Sequence, residues 1–301
     1  MIDYANFLIE QGFVIFLFHG VIREQDHRVR NYTNKHLVLE RFATILNDLC
    51  VSGSPVSMPD IVLAKNDEIA LPKRAFAVTF DDGFENNYSV AAPLLHDLGI
   101  PATFYITTSF IDSNSSSWID MIEYAVEKVD KFELKLPSLD VQGIFTQPEQ
   151  KIELLDQIRL VVKNDPDIDP YEFAHDIWRQ LDIETFEPDS DLDQKMNWAQ
   201  IRELSQNDLF TIGGHSHTHR ILAYLDRSEL ESEIRISLKK LREHLDEPVE
   251  HYSYPEGLAH CYSNQVINVL KRYGIVCSPT AEPGSNHIGD SLFHLKRIMV
   301  I

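Results

Sequence analysis

Two short stretches of this chain hold residues whose types and spacing could do chemistry. The first is Thr79-Phe80-Asp81-Asp82-Gly83, where two adjacent carboxylates close the apolar and β-branched run from Phe76 to Phe80. At the end of a buried strand such a pair repels itself and loses solvation. That placement needs a reason, such as a metal ion or two different acid/base tasks. Gly83 lets the chain turn sharply out of the strand. The bland alternative is an ordinary Asp-Gly turn, and the second stretch argues against it. That stretch is Gly213-Gly214-His215-Ser216-His217-Thr218-His219, with three imidazoles in five residues after an apolar run. His215 and His219 are four apart, so a helical turn would put them on one face, as a shared metal ion requires. Imidazole with carboxylate suits zinc and related divalent ions. A solvated histidine-rich loop is the competing reading, and the double glycine and the preceding apolar run weigh against it.

The elements that must position these groups alternate. Phe13–Phe18 is six apolar residues ending at His19-Gly20. Residues 36–50 carry Leu39, Phe42, Ile45, Leu46 and Leu49 at helical spacing. Residues 51–74, rich in Ser, Pro and Asp, read as loop. The 76–80 strand follows, then a helix over 87–98 closed by Gly99, then a strand over 103–107. This β-α-β rhythm predicts a parallel sheet covered by helices. Residues 110–196 break it and predict a mostly helical insertion, with helices over 118–128, 149–163 and 171–181. The rhythm resumes with a short helix to Gln206, a strand over 209–212, a helix over 230–245 and a strand over 249–254. A helix over 266–273 and strands over 274–277 and 297–301 complete it. The fold class is α/β. The expectation is one deformed (β/α) barrel domain over 1–301, with about seven strands, interrupted by the insertion. Function in such barrels gathers at the C-terminal ends of the strands.

Composition bounds the partners. The chain has 301 residues, 44% hydrophobic and 25% charged, with a formal net charge of −20. That charge disfavours nucleic acid and anionic membranes as direct partners. No apolar run reaches the ~18 residues of a membrane span. The first ten residues have no basic n-region, so no secretory signal is expected there. Cys50, Cys261 and Cys277 are odd in number with no C-x-x-C spacing. They read as small core residues of a reducing compartment. The expectation is a cytoplasmic protein.

With both motifs in order and without gaps, the chain resembles the polysaccharide deacetylase family, the deformed (β/α) barrels with NodB homology that remove acetyl groups from sugars. Thr79-Phe80-Asp81-Asp82-Gly83 is similar to the first family motif and His215-Ser216-His217-Thr218-His219 to the second. The resemblance implies that Asp82, His215 and His219 hold a divalent metal, most simply Zn2+. It implies that Asp81 is the general base on metal-bound water that attacks the amide carbonyl. His217 is expected beside the ligands or outward, not as a fourth ligand. The third motif departs from the family: in Tyr252-Ser253-Tyr254-Pro255-Glu256-Gly257, Ser253 stands where an arginine is usual and Glu256 where an aromatic is usual. The backbone N–H of Glu256 still suits an oxyanion. No D-x-x-D-W segment follows as a fourth motif. The L-x-H motif that carries the catalytic acid is absent from the C-terminal end, but Leu17-Phe18-His19 has that pattern at the other end. Circularly permuted members place it there, and His19 is then the expected acid.

Arg297, at the start of the last short strand, is the candidate to replace the missing arginine beside Asp81. The expected partner is an N-acetylated sugar, sugar nucleotide or oligosaccharide; a cytoplasmic setting favours biosynthetic intermediates over finished wall polymer. Deformylation of a formamido sugar is the alternative within the same chemistry. A degenerate barrel that binds glycan without turnover is the alternative outside it. An amidohydrolase barrel, whose H-x-H lies on the first strand, fits poorly because His215-Ser216-His217 comes late in the chain.

Overall fold

The computed structural model describes residues 2–301, and two compact units emerge from it. The first comprises residues up to 24, 36–115 and 194–301; the second comprises 25–35 and 116–193.

The first unit is built on a parallel sheet in the order Arg297–Met299, Phe13–Phe18, Ala75–Phe80, Ala102–Ile106, Phe210–Gly214. The two-residue strand Ser54–Pro55 also pairs with Ala75–Phe80. Beyond Gly214 the sheet continues only as single bridges, Gly214 to Tyr252 and His251 to Cys277, both parallel. The expected strands over 249–254 and 274–277 are therefore reduced to bridge residues. Residues 251–254 are followed by a tight turn in which Glu256 and Gly257 both have positive φ, +61° each, so the ladder cannot lengthen there.

Both faces of this sheet are buried, which is why its strands read as continuous apolar runs. Val14, Phe16 and Phe18 pack with Phe42, Leu46, Phe76 and Phe80 under the covering helices. Phe13 and Ile15 face the other way, with Ala75, Ala77 and Cys277. Across the helix-covered face Phe18 stacks on Phe80 at 5.4 Å and Phe80 on Phe104 at 5.1 Å. Each aromatic pair adds about 0.5–1.5 kcal/mol to simple burial. Because the strands are parallel, Phe18, Phe80, Ile106 and Gly214 all end on one side of the sheet. His19, Asp81, Thr107 and His215 follow them.

Residues 51–74 are not all loop. A capping box, with Ser57 and Asp60 bonding each other's backbone N–H, starts a helix over Met58–Lys65. The expected helix over 36–50 is a short strand, His36–Val38, followed by a helix over Leu39–Ser52.

The second unit contains the expected helices, Trp118–Lys128, Pro148–Asn164 and Pro170–Gln180. It also contains an antiparallel hairpin, Phe132–Leu136 with Val141–Phe145. Phe132, Leu134 and Leu136 turn one face of that hairpin into a core with Ile122, Leu155, Ile158 and Ile177. Residues 25–35, outside the expected insertion, belong to this unit. Glu127 Oε2 accepts the successive backbone N–H groups of Arg28, Val29 and Arg30 at 3.1, 2.8 and 2.9 Å. Lys35 pairs with Asp120 at 2.6 Å, and Asn31 N–H donates to Glu123 at 3.0 Å. Three acids on one face of helix Trp118–Lys128 thus bind the 25–35 segment.

None of the three cysteines forms a disulfide; Cys261 and Cys277 are buried as expected, but Cys50 is exposed, on the solvent side of its helix. No helix among the described residues is long and apolar enough to cross a membrane.

Candidate metal centre

Asp82, His215 and His219 come together: one ligand atom from each lies within 4.8 Å of the others, and all three residues are buried. His219 Nε2 is 3.2 Å and His215 Nε2 3.6 Å from Asp82 Oδ1. His215 Nδ1 lies 2.9 Å from the Ser253 carbonyl. A carbonyl only accepts, so Nδ1 donates and Nε2 keeps its lone pair toward the cluster. That is how a histidine ligand is usually oriented. The donor set, two imidazoles and a carboxylate, fits a divalent ion such as zinc.

The loop that carries the histidines is not the helical turn expected from their spacing. Ser216 and His219 both have left-handed backbones, φ +67° and +59°, and so does Asp82, φ +76°. Each such non-glycine residue costs about 1–3 kcal/mol and persists only when its surroundings enforce it. Here they do. Ser216 Oγ accepts His219 N–H at 2.8 Å. The buried Glu233 accepts His217 N–H at 2.8 Å and the N–H and hydroxyl of Thr218. Thr108 and Ser109 N–H donate to the Ser216 and His217 carbonyls at 3.2 and 2.9 Å. His217 pairs with Thr108 Oγ1 at 2.9 Å, turned away from the three-residue cluster. The double glycine supplies room: a Cβ at Gly213 would sit 2.5 Å from the Tyr105 ring, and one at Gly214 would sit 2.6 Å from the Tyr252 ring.

Arg297 meets Asp81 as a fork. Nη1 donates to Oδ1 at 2.9 Å and Nη2 to Oδ2 at 2.8 Å. Arg297 is 1% and Asp81 3% exposed, so water screens this pair little. The Arg297 fork is held in turn: Nε donates to the Thr280 carbonyl at 2.6 Å and Nη2 to Ser253 Oγ at 2.9 Å. Burial works to raise the Asp81 pKa. The Arg297 charge, with His215 and His19 behind it, outweighs burial and holds the carboxyl below its ordinary range. Burial also lowers the pKa of His215, against the pull of Asp81, which keeps this imidazole neutral. His19 follows the strand Phe13–Phe18 and so lies at the same end of the sheet as Asp81.

Two further residues take part, one of them, Glu233, with no motif to announce it. Ser253 occupies the place of the usual arginine and accepts from Arg297 instead. Glu233 is a buried acid on the inner face of helix Arg227–His244, among Leu230, Ile234 and Leu241. An acid on the apolar stripe of a helix is the only signal the sequence offers for it.

The sequence matches the polysaccharide deacetylase family over residues 68–164 and 174–278. The chain belongs to that family, and as an enzyme it is a sugar deacetylase, a hydrolase. The matched ranges contain Asp81, Asp82, His215 and His219 but not His19 or Arg297. No curated protein matches the chain. Solved structures share the fold. A de-N-acetylase from Aggregatibacter actinomycetemcomitans has 16% identity and a TM-score of 0.60, over 96% of this chain and 94% of that one. The deacetylase PplD of Streptococcus pyogenes, solved with acetate, has 14% identity and a TM-score of 0.62, over 97% and 93%. IcaB from Ammonifex degensii has 17% identity and a TM-score of 0.61, over 98% and 94%.

Proposed function

We propose that this enzyme removes the N-acetyl group of an amino sugar or glycan intermediate, with a divalent ion, zinc in the first instance, held by Asp82, His215 and His219. The observation that carries the reading is the buried cluster of those three donors beside a second carboxylate, Asp81, kept ionised by Arg297. A bound divalent ion would supply Lewis acidity toward the acyl carbonyl and toward water.

The protein's own groups divide the remaining work. Asp81 takes the proton from the attacking water; as a carboxylate it is ready to do so near neutral pH. Arg297 fixes the direction of that carboxylate and keeps the base from protonating in a dry site. The backbone N–H of Glu256 is the proposed donor to the oxyanion. His19 gives a proton to the departing amine, which leaves poorly without one, and an imidazole does this near neutral pH. In this role His19 stands for the L-x-H acid of the circularly permuted members of the family. The products are acetate and the free amino sugar.

The test is acetate release over a panel of N-acetylated sugars, sugar nucleotides and oligosaccharides, alongside metal analysis. The expected result is about one divalent ion per chain and turnover that stops on chelation and returns with zinc. Turnover unaffected by complete removal of metal would overturn the reading.

A further inference from the structure

The backbone on both sides of His19 is held in place: Gly20–Ile22 pair in parallel with His36–Val38. The peptide groups flanking His19 are also held by the segment that runs on from the Asp81-Asp82 turn. Asp81 N–H donates to the Phe18 carbonyl at 3.1 Å. Asn87 Nδ2 donates to the His19 carbonyl at 2.8 Å. Asn86 Oδ1 accepts Val21 N–H at 3.2 Å. Asn87 Nδ2 also donates to Asn86 Oδ1 at 3.2 Å, which ties the two amides together.

The orientation of Asn86 follows from its partners. A backbone N–H can only donate, so the atom facing Val21 is the oxygen. The amide nitrogen then faces His36 Nδ1 at 3.1 Å. That imidazole nitrogen must accept, so His36 carries its ring proton on Nε2. Asn86, Asn87 and His36 are 2%, 0% and 3% exposed. Gly20 belongs to the same arrangement. A Cβ there would lie 2.0 Å from His36 Nδ1 and 2.8 Å from Asn86 Oδ1. The residue after His19 is therefore glycine for space, because the clamp closes against it. Asn87 opens a π-helical turn, Asn87–Ala91, ahead of the helix Ala92–Asp97. Such widened turns are uncommon and often sit at functional positions.

We propose that Asn86 and Asn87 are positioning residues for His19: they transmit the placement of the Asp81-Asp82 turn to the backbone of the proton donor. The inference rests on the reading of His19 as the acid. A displaced donor costs rate without touching the metal donors, and a misplacement of about 1 Å is worth up to roughly 10²-fold. The amide substrate feels it because its amine must be protonated to leave. An ester with a good leaving group does not.

The test uses Asn87→Ala, His19→Ala and the double variant of the full chain. Asn87→Asp, the same shape without the donor, serves if Asn87→Ala does not fold. The substrates are the N-acetyl sugar identified by acetate release and 4-nitrophenyl acetate. The expected result for Asn87→Ala is a fall in kcat of roughly 10–100-fold on the amide, little change on the ester, and unchanged metal content. In the His19→Ala background the same substitution should add nothing. A readout independent of turnover comes from histidine-labelled protein: the His19 ring resonance, assigned by its disappearance in His19→Ala, should move or broaden in Asn87→Ala. Equal losses on amide and ester, or an undiminished effect in the His19→Ala background, would overturn the clamp. So would an unmoved His19 resonance. A His19→Ala enzyme that loses amide and ester activity alike would instead overturn the acid reading, and the clamp with it.

Discussion

Asp81 and Glu127 are both carboxylates held below the ordinary carboxylate range, by different means. Asp81, in the sheet-based unit, is opposed by burial and rescued by one guanidinium on a distant strand. Glu127, in the helical unit, is also opposed by burial, and hydrogen bonds from His27 and from the N–H groups of Arg30 and Val29 bring it down to about 2. The first carboxylate depends on a charge behind it; the second depends on a set of hydrogen bonds, the His27 side chain first and two backbone N–H groups after it. A base at a reaction site must stay ionised yet remain free to take a proton, so a charge set behind it serves better than a ring of donors that fills its lone pairs. A structural carboxylate has no such duty and can be saturated.

The largest expected effect lies on the site side. His219→Ala should lose the divalent ion and bring acetate release to background while the fold persists. Equal metal stoichiometry in variant and parent would remove His219 from the ligand set. Next comes Arg297→Met. It leaves Asp81 buried without its counter-charge, a change that typically costs about 3–5 kcal/mol. Denaturation should show the loss, and activity should fall with it. Arg297→Lys should restore little, because an ammonium cannot reproduce the fork.

Glu127→Gln tests the other side. The folded pKa of Glu127 is depressed, so its contribution is complete above the unfolded value near 4.5 and drains as pH falls toward about 2. His27, which Glu127 contacts at 2.6 Å, runs oppositely. Its folded pKa is raised above 6.5, so its contribution is complete below that pH and is lost as pH climbs through the folded value. Thermal unfolding between pH 2 and 5 should therefore show an acid-sensitive component of about 1–2 kcal/mol, discounted for partial exposure, which Glu127→Gln abolishes. An unchanged acid profile in the variant would mean that the Glu127 carboxylate does not carry the acid-sensitive component. The smallest effect is expected from Ser253→Ala, which removes one acceptor from Arg297 and a 3.4 Å contact to Asp81. About 1 kcal/mol in unfolding, with metal content intact, is the expected outcome. A loss as large as that of Arg297→Met would show that Ser253, not Asp81, anchors the guanidinium.

Much of this protein is determined locally and is therefore legible in its sequence. Asp81 and Asp82 are neighbours, His215 and His219 share one loop, and each pair follows an apolar run whose burial on both faces leaves no other reading. The long helices are legible for the same reason, since 3.6-residue periodicity needs no distant partner. The hairpin Phe132–Leu136 with Val141–Phe145 shows the limit of that argument. The alternation in Phe132-Glu133-Leu134-Lys135-Leu136 is present, but with one side of each strand turned to water the apolar signal is halved.

What only the tertiary structure decided lies where residues far apart in sequence must meet. Arg297 and Asp81 are 216 positions apart, and their pairing exists because register sets Ile15 against both Arg297 and Ala77. The left-handed backbones of Asp82, Ser216 and His219 are likewise invisible in sequence; those in the histidine loop are held by bonds to Glu233, Thr108 and Ser109. Asn86 and Asn87 read as ordinary polar residues at a helix start until the fold sets them against His19 and Val21. Local sequence specifies which chemistry is carried to the strand ends. Strand register, which is a property of the whole sheet, specifies which charges and hydrogen bonds aim it.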